Sequence, residues 1–386
     1  NAYTSDDLTT YHTLFAKEDL ETWIRLEADR FQHLTYSEGD FKTESRAVLG
    51  EYNKNAANPV RKLFEVQRDA AFTTHTYKHT TMGFIKDIED MPNQYAYSKQ
   101  FFQRWYKPEN VTVILAGDVE PEKGFALVEK YFGGWKRGRS IPPVIPVEPE
   151  AKAPISAHVA WEAPTLPWMT VAFHTPARFS TQDKASSALE FAAQELFGER
   201  SELYQRLVMK EQKVDQLFTN GGDSKDPDLF TIGARVKKAE DLAYVRDLIL
   251  DTCAQGRALP FSSTKLEEGK TEARLGFQRA LDSTNSVAGL VARLTSYERD
   301  PETVNKVLAL QETVTPADLG AIARATFRDH ARVITTLAHG PLPENLKAMS
   351  PQQREAHLAE LAKKRDAIQQ EIKAAAAQRQ RHLEEL

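Results

Sequence analysis

Apolar positions along the chain fall into strand-like and helix-like periods that alternate in blocks. Residues 3–15 (YTSDDLTTYHTLF) alternate loosely and are rich in Thr and Tyr, which predicts a strand or a hairpin. Leu20, Ile24, Ala28 and Phe31 then recur at spacings of three and four, the signature of an amphipathic helix. The turn at 36–40 (YSEGD) opens a second helix over 41–55 (FKTESRAVLGEYNKN), which ends near Asn58-Pro59 because the residue before a proline disfavours the helical region. A further helix is expected over 60–71. Residues 73–82 (TTHTYKHTTM) are β-branched and polar and read as a loop. Next come a helix over 95–106, a strand over 111–116 (VTVILA) closed by Gly117-Asp118, and a helix over 121–132.

Residues 140–155 (SIPPVIPVEPEAKAPI) carry five prolines and show neither period. Proline removes backbone donors and stiffens the chain, so this stretch reads as a semi-rigid linker between domains. Beyond it the grammar repeats. Strands are expected at 168–174, 212–220, 229–236 and 332–337, and helices at 184–197, 201–210, 239–255, 262–281, 287–297 and 316–327. Helix, apolar strand and glycine over 95–117 recur over 316–340, which suggests two copies of one unit. The fold class is α+β, with two homologous domains, each an antiparallel sheet layered with helices. The expected boundaries are 1–139 for the first domain, 140–155 for the linker and 156–340 for the second domain. From 341 to 386 the composition shifts to Ala, Gln, Glu, Lys and Arg with a thin apolar stripe, predicting a helical tail.

Length and composition narrow the classes. At 386 residues the chain is too long for one ordinary core. A formal charge of -5 argues against general nucleic-acid binding, and no apolar run approaches the roughly 20 residues that span a bilayer. Cys253 is the single cysteine, so no intrachain disulfide is possible and the redox compartment stays open.

The candidate chemistry lies in 41–55. Helical spacing places Glu44 and Glu51 seven residues apart on one face, with Val48 between them and Asn55 one turn on. One reading is a solvated helix face, kept soluble by Arg46 and Lys54. The other makes Glu51 a metal ligand and Glu44 a supporting carboxylate beside it. His75 and His79 are four apart but sit among threonines, so they read as exposed or hydrogen-bonded loop histidines and not as a zinc pair.

The opening Asn1-Ala2-Tyr3-Thr4-Ser5, then Tyr11, then TESRAVLGEYNKN with Glu44 and Glu51, resembles the M16 zinc peptidases, the family of insulinase, pitrilysin and mitochondrial processing peptidase. YKHTTMGFIKDIEDM (77–91) and YKPENVTVILAGD (106–118) are similar to that family's first domain as well. The likeness covers nearly all of 1–140 and, more weakly, the element order of 156–340. It implies the inverted zinc motif H-x-x-E-H on a helix, with a distant Glu as third protein ligand to Zn²⁺. By position Glu51 matches that ligand and Glu44 the nearby supporting carboxylate. Asn1 and Ala2 match an edge strand that pairs with the peptide substrate by backbone hydrogen bonds.

No H-x-x-E-H occurs in this sequence. In the family it precedes the Asn-Ala motif, so the sequence as given holds one of three expected protein ligands and lacks the general base. Asn1 falls inside a β-rich segment, which points to a sequence that starts late and not to an inactive protein. In the complete chemistry zinc would activate a water for attack on a peptide carbonyl. The family's second half also carries an Arg and a Tyr seven residues apart. Here LYQRLVMKEQKVDQLF aligns Val208 and Asp215 at those places, and Arg206 has no Tyr following at that spacing. The expectation is a zinc endopeptidase subunit acting on peptides or unfolded chains, paired with a second M16-type subunit that supplies Arg and Tyr. The alternative is a non-catalytic scaffold subunit. Family habit points to the periplasm or secretion.

Overall fold

Strand β1 (Ala2–Thr4) and strand β2 (Thr9–Tyr11) form a hairpin, the second of the two forms expected there, antiparallel with Tyr3 opposite Thr10. The structure, a computed structural model, describes residues 1–138, 144–176, 179–221 and 224–341. Helices α1 (Leu20–His33), α2 (Glu38–Ala56) and α3 (Pro59–Ala71) follow. Asn58 separates the last two by capping α3, its Oδ1 accepting from the Val60 and Arg61 amides at 2.9 and 3.3 Å, with Pro59 at the first helical position where no amide is needed. Short α4 (Ile85–Asp90), α5 (Tyr95–Trp105) and α6 (Pro121–Phe132) complete the first half.

The second half supplies β3 (Ile155–Trp161), β4 (Trp168–His174), α7 (Ala185–Phe197) and short α8 (Glu202–Tyr204), which continues into a wider π turn over Gln205–Lys210. Then come β5 (Val214–Asn220), β6 (Leu229–Val236), α9 (Leu242–Ala258), α10 (Ser263–Arg279), α11 (Thr284–Glu298), α12 (Thr303–Glu312), α13 (Pro316–Thr326) and β7 (Arg332–His339). The five strands form one sheet in the order β3-β7-β4-β6-β5, antiparallel except for the parallel β3–β7 pair.

Both faces of this sheet are covered, which is why β4 is buried along nearly its whole length with no alternation. On one face Phe173 of β4 and Phe230 of β6 stand opposite each other and pack on Phe327, just past α13, and Phe197 of α7. On the other face lies α3, a helix of the first half. Its Leu63 packs on Trp168 and Leu337, while Ala71 and the following Phe72 pack with Tyr77 on Ala172, Leu229 and Val333. Gly233 has no side chain because the Phe218 ring from β5 occupies the space a Cβ would take.

Three local expectations change. Residues 111–116 form no strand, because among the described residues no strand lies beside them to exchange hydrogen bonds. The proline-rich stretch gives up its last residue, Ile155, to β3, and β3 and α12 had no forecast at all. The two halves also differ in strand content, one two-stranded hairpin against five strands among the described residues. Residues Asn1–Pro341 make one compact unit, and the expected tail lies outside the described residues.

Candidate functional site

Helix α2 starts on a capping box. The Ser37 hydroxyl accepts the Asp40 amide at 3.1 Å, and the Asp40 carboxylate accepts the Ser37 amide at 3.2 Å. Hydrogen bonds from the Ser37 side chain and backbone hold the Asp40 carboxyl below the usual carboxylate range. The helix buries only Ser45 and Tyr52, which lie seven apart on one stripe. Ser45 donates to the Phe41 carbonyl at 2.7 Å, and the Tyr52 hydroxyl faces Glu65 of α3 at 3.4 Å.

Glu44 and Glu51 occupy the stripe beside that buried one, with half-buried Val48 and Asn55. Both are exposed, and neither has a hydrogen bond or ion pair among the described residues. Sharing a helix face, they sit about 10 Å apart along the axis. Among the described residues no group of three His, Cys, Asp or Glu is placed to hold a metal, so Glu51 and Glu44 do not by themselves make a zinc site. His75 and His79 flank a single turn of 3-10 helix, Thr76–Lys78, and do not share an α-helical face. His75 is buried, accepts the Tyr77 amide at 3.0 Å through Nδ1 and faces Asp226 at 3.4 Å, while His79 sits 2.9 Å from the Thr80 carbonyl. Both are hydrogen-bonded loop residues.

Asn1 and Ala2 lie at the open end of the hairpin, where the Asn1 carbonyl accepts the His12 amide at 2.9 Å. All of β1 is exposed, and one of its edges carries no strand among the described residues. The opposite end of the hairpin is anchored. Asp6 pairs with Arg68 of α3 at 3.0 Å, and Asp7 accepts the Tyr77 hydroxyl at 2.9 Å and the Lys225 amide at 2.9 Å. No hydrogen bond or ion pair among the described residues joins Asn1 or Ala2 to Glu44 or Glu51.

In the second half Asp215 forms a bidentate pair with Arg235 at 2.7 and 2.9 Å, and Val208 is a half-buried residue of the π turn. Arg206 does meet a tyrosine, but a distant one. Its guanidinium donates to Glu211 at 2.7 Å and to the Tyr244 hydroxyl at 2.7 Å, and that hydroxyl donates to Glu211 at 2.8 Å. Burial, with the Glu211 hydrogen bond, pushes Tyr244 up to about 12, outweighing the pull of Arg206. Tyr244 opens α9, and nothing in a local spacing rule could have paired it with Arg206.

The proline-rich stretch carries a contact the sequence hid. Glu148 accepts the amides of Thr73, Thr74 and His75 at 2.7, 2.9 and 2.9 Å and the Thr73 hydroxyl at 2.7 Å. Burial works to raise its pKa, but the amide bonds from His75, Thr74 and Thr73 outweigh it and hold the carboxyl down at about 2. The stretch is therefore clamped to the first half at this point, and its stiffness is not only that of proline.

The sheet covered on one face by α7, α9 and α13 and on the other by α3 is the fold of M16-like peptidases. A protease from Helicobacter pylori superposes with a TM-score of 0.78 at 25% identity, over 87% of this chain and 81% of that one. The first half of the periplasmic protease PqqL from Escherichia coli gives 0.68 at 16% identity, over 92% and 78%. In sequence, the zinc protease PqqE of Helicobacter pylori is 28% identical over 314 residues, 78% of this chain and 69% of that protein. The pattern described as Peptidase M16 inactive domain matches residues 94–272. In sequence and in fold the chain is similar to M16 peptidases.

Proposed function

We propose that this chain is the zinc-bearing subunit of an M16 endopeptidase that cleaves peptides or unfolded polypeptides. One observation carries the reading. Helix α2 is capped and anchored through Ser45 and Tyr52, yet leaves Glu51 and Glu44 together, unpaired and solvent-facing. Unpaired exposed carboxylates are ordinary on a helix surface, but these two stand at the positions where the family resemblance puts a metal ligand and its supporting carboxylate. Glu51 is the donor this chain would contribute to Zn²⁺, and Glu44 would tune the charge beside it. The exposed edge at Asn1 and Ala2 suits a peptide added as a strand, with affinity from backbone hydrogen bonds.

The same reading keeps 1–139 and 156–340 as the family's two domains and gives the chain a second M16-type subunit as partner. Arg206 supports a partner that brings its own Arg and Tyr, because Glu211 and Tyr244 already hold its guanidinium. The relative PqqL is periplasmic, and among the described residues no helix is long and apolar enough to cross a membrane. The periplasm is the compartment proposed.

A scaffold subunit is the second reading, favoured by the match to the inactive-domain pattern. That match runs from 94 to 272 and leaves α2 outside it. Elemental analysis of the full-length protein and of Glu51→Gln separates the two. About one zinc per chain, lost or weakened in the variant, supports the peptidase. A protein without zinc that cleaves no peptide, alone or with its partner subunit, is a scaffold.

A further inference from the structure

Residues 144–150 of the proline-rich stretch form a strap with no apolar hold on the body. Val144 and Val147 are 92% and 88% exposed, and no residue of 144–150 is buried. Among the described residues its grip is polar. Glu150 pairs with Arg328 and faces His330 at 3.5 Å. Glu148 reaches the other way, into the loop after α3. Besides the amides of Thr73, Thr74 and His75 it accepts the hydroxyls of Thr73 at 2.7 Å and Thr74 at 3.2 Å. Three successive amides aimed at one carboxylate make a backbone nest, and its occupant is the strap.

The last residue of the nest passes this hold on. His75 is buried, its Nδ1 accepts the Tyr77 amide at 3.0 Å, and the two rings lie 4.2 Å apart. With Nδ1 accepting, the ring proton sits on Nε2, which faces Asp226 at 3.4 Å. Tyr77 is 3% exposed and donates its hydroxyl to Asp7 at 2.9 Å. Its carbonyl accepts Arg68 at 2.7 Å, and Arg68 in turn holds Asp6 at 3.0 Å. Asp6 and Asp7 form the turn of the β1–β2 hairpin, which the Ser5 amide closes on the Leu8 carbonyl at 2.9 Å. The Lys225 amide is a further hold on Asp7. At its other end the hairpin rests on Tyr11, packed against Phe31 and Tyr106. Strand β1 buries nothing of its own, so its position is set by these anchors.

We propose that Glu148 is a positioning residue for the β1 edge, acting through His75 and Tyr77 on the turn at Asp6-Asp7. The contacts form one continuous path from the strap to the turn, made of hydrogen bonds and one pair of packed rings. An edge that recruits a peptide through backbone hydrogen bonds must keep its own amides and carbonyls in line, and a rocking turn would spoil that alignment. The functional half of the proposal rests on the reading of β1 as the peptide-binding edge. The mechanical half, that the strap steadies the hairpin, needs neither that reading nor zinc.

Amide hydrogen exchange on the full-length protein tests the mechanical half, in wild type, Glu148→Ala, Tyr77→Phe and the double variant. Glu148→Ala should free the amides of residues 73–75 and speed exchange of the Ser5 amide roughly tenfold, with the β4 amides unchanged as the sign that the fold is kept. Tyr77→Phe keeps the ring and removes the hydroxyl, so on that background Glu148→Ala should add nothing more at Ser5. A Ser5 amide indifferent to Glu148→Ala, or effects that simply add in the double variant, overturns the proposal and leaves Glu148 a local clamp. Glu148→Gln carries the same test if the alanine variant unfolds. Peptide cleavage tests the functional half: Glu148→Ala should raise KM about tenfold with kcat and zinc content unchanged. Coupled exchange with an unmoved KM overturns the edge reading of β1, whereas uncoupled exchange overturns the role of Glu148 whatever KM does.

Discussion

Helices α2 and α3 are neighbours in sequence, similar in polarity and separated by only the two cap residues Ala57 and Asn58, yet they have opposite lives. Helix α3 crosses out of the first half and seals one face of the second half's sheet, burying Leu63, Gln67 and Ala71. Helix α2 touches it through Tyr52 and Glu65 and otherwise turns its charged stripe to solvent. The lesson is a division of labour. A helix that must seal a core spends its face on packing, and its neighbour, which packs Phe41 against Tyr36 and Tyr95 and buries only Ser45 and Tyr52, keeps a face free to present carboxylates.

The strongest way to break this comparison is to empty the α3 face. Leu63→Ala removes a fully buried side chain between Trp168 and Leu337 and should cost about 2–5 kcal/mol, read as a lowered urea midpoint. A loss no larger than that of a surface change would mean α3 does not seal the sheet.

Next in size is the clamp from the proline-rich stretch. Glu148→Gln should cost about 1 kcal/mol at neutral pH, a low value because the carboxylate is only partly buried. The sign of its pH dependence follows from a folded pKa held down at about 2 against an ordinary 4.5. The stabilisation is complete above the ordinary value and is lost as pH falls from there toward the folded one. Urea midpoints measured across that acid range should therefore fall more steeply in the wild type than in Glu148→Gln. Parallel curves would show that the charge on Glu148 adds nothing.

Smaller again is the boundary between the two helices. Asn58→Ala removes the acceptor of two amides at the start of α3 and should cost about 1 kcal/mol by thermal unfolding. The smallest stability effect belongs to the proposed site itself. Glu51→Gln and Glu44→Gln should shift stability by no more than about 0.5 kcal/mol in zinc-free protein, since neither carboxylate has a partner among the described residues. On the peptidase reading Glu51→Gln nevertheless abolishes zinc retention and peptide cleavage, and Glu44→Gln lowers them less. A large stability loss with zinc removed would return both residues to a structural role.

Much of this was legible one element at a time. The hairpin at 3–15, the Glu44–Glu51 helix, the break at Asn58-Pro59 and the buried strands of the second half all follow from local period and local caps. The strand forecast at 111–116 failed because a strand exists only by virtue of its neighbour, and sequence period cannot supply one. Strand β3 was missed although Ile155, Ala157, Val159 and Trp161 alternate with Ser156, His158 and Ala160, because it follows directly on the proline-rich run and its first residue falls within that run. No tyrosine lies seven residues after Arg206, and its partner Tyr244 arrives from the start of another helix.

What the sequence determined by itself was therefore what short-range forces control. These are the helical phase that puts Glu44 and Glu51 on one stripe, the caps that bound α2 and α3, and the family their pattern resembles. Only the tertiary structure decided that α3 would cover the sheet of the other half, that Glu148 would clamp the 73–75 loop, and that Arg68 would pair with Asp6. Those contacts join residues tens to more than a hundred positions apart. No periodicity encodes such a meeting; it results from which apolar faces find each other when the whole chain buries its core, and the polar groups carried along are satisfied, or left waiting for a partner, by where that burial puts them.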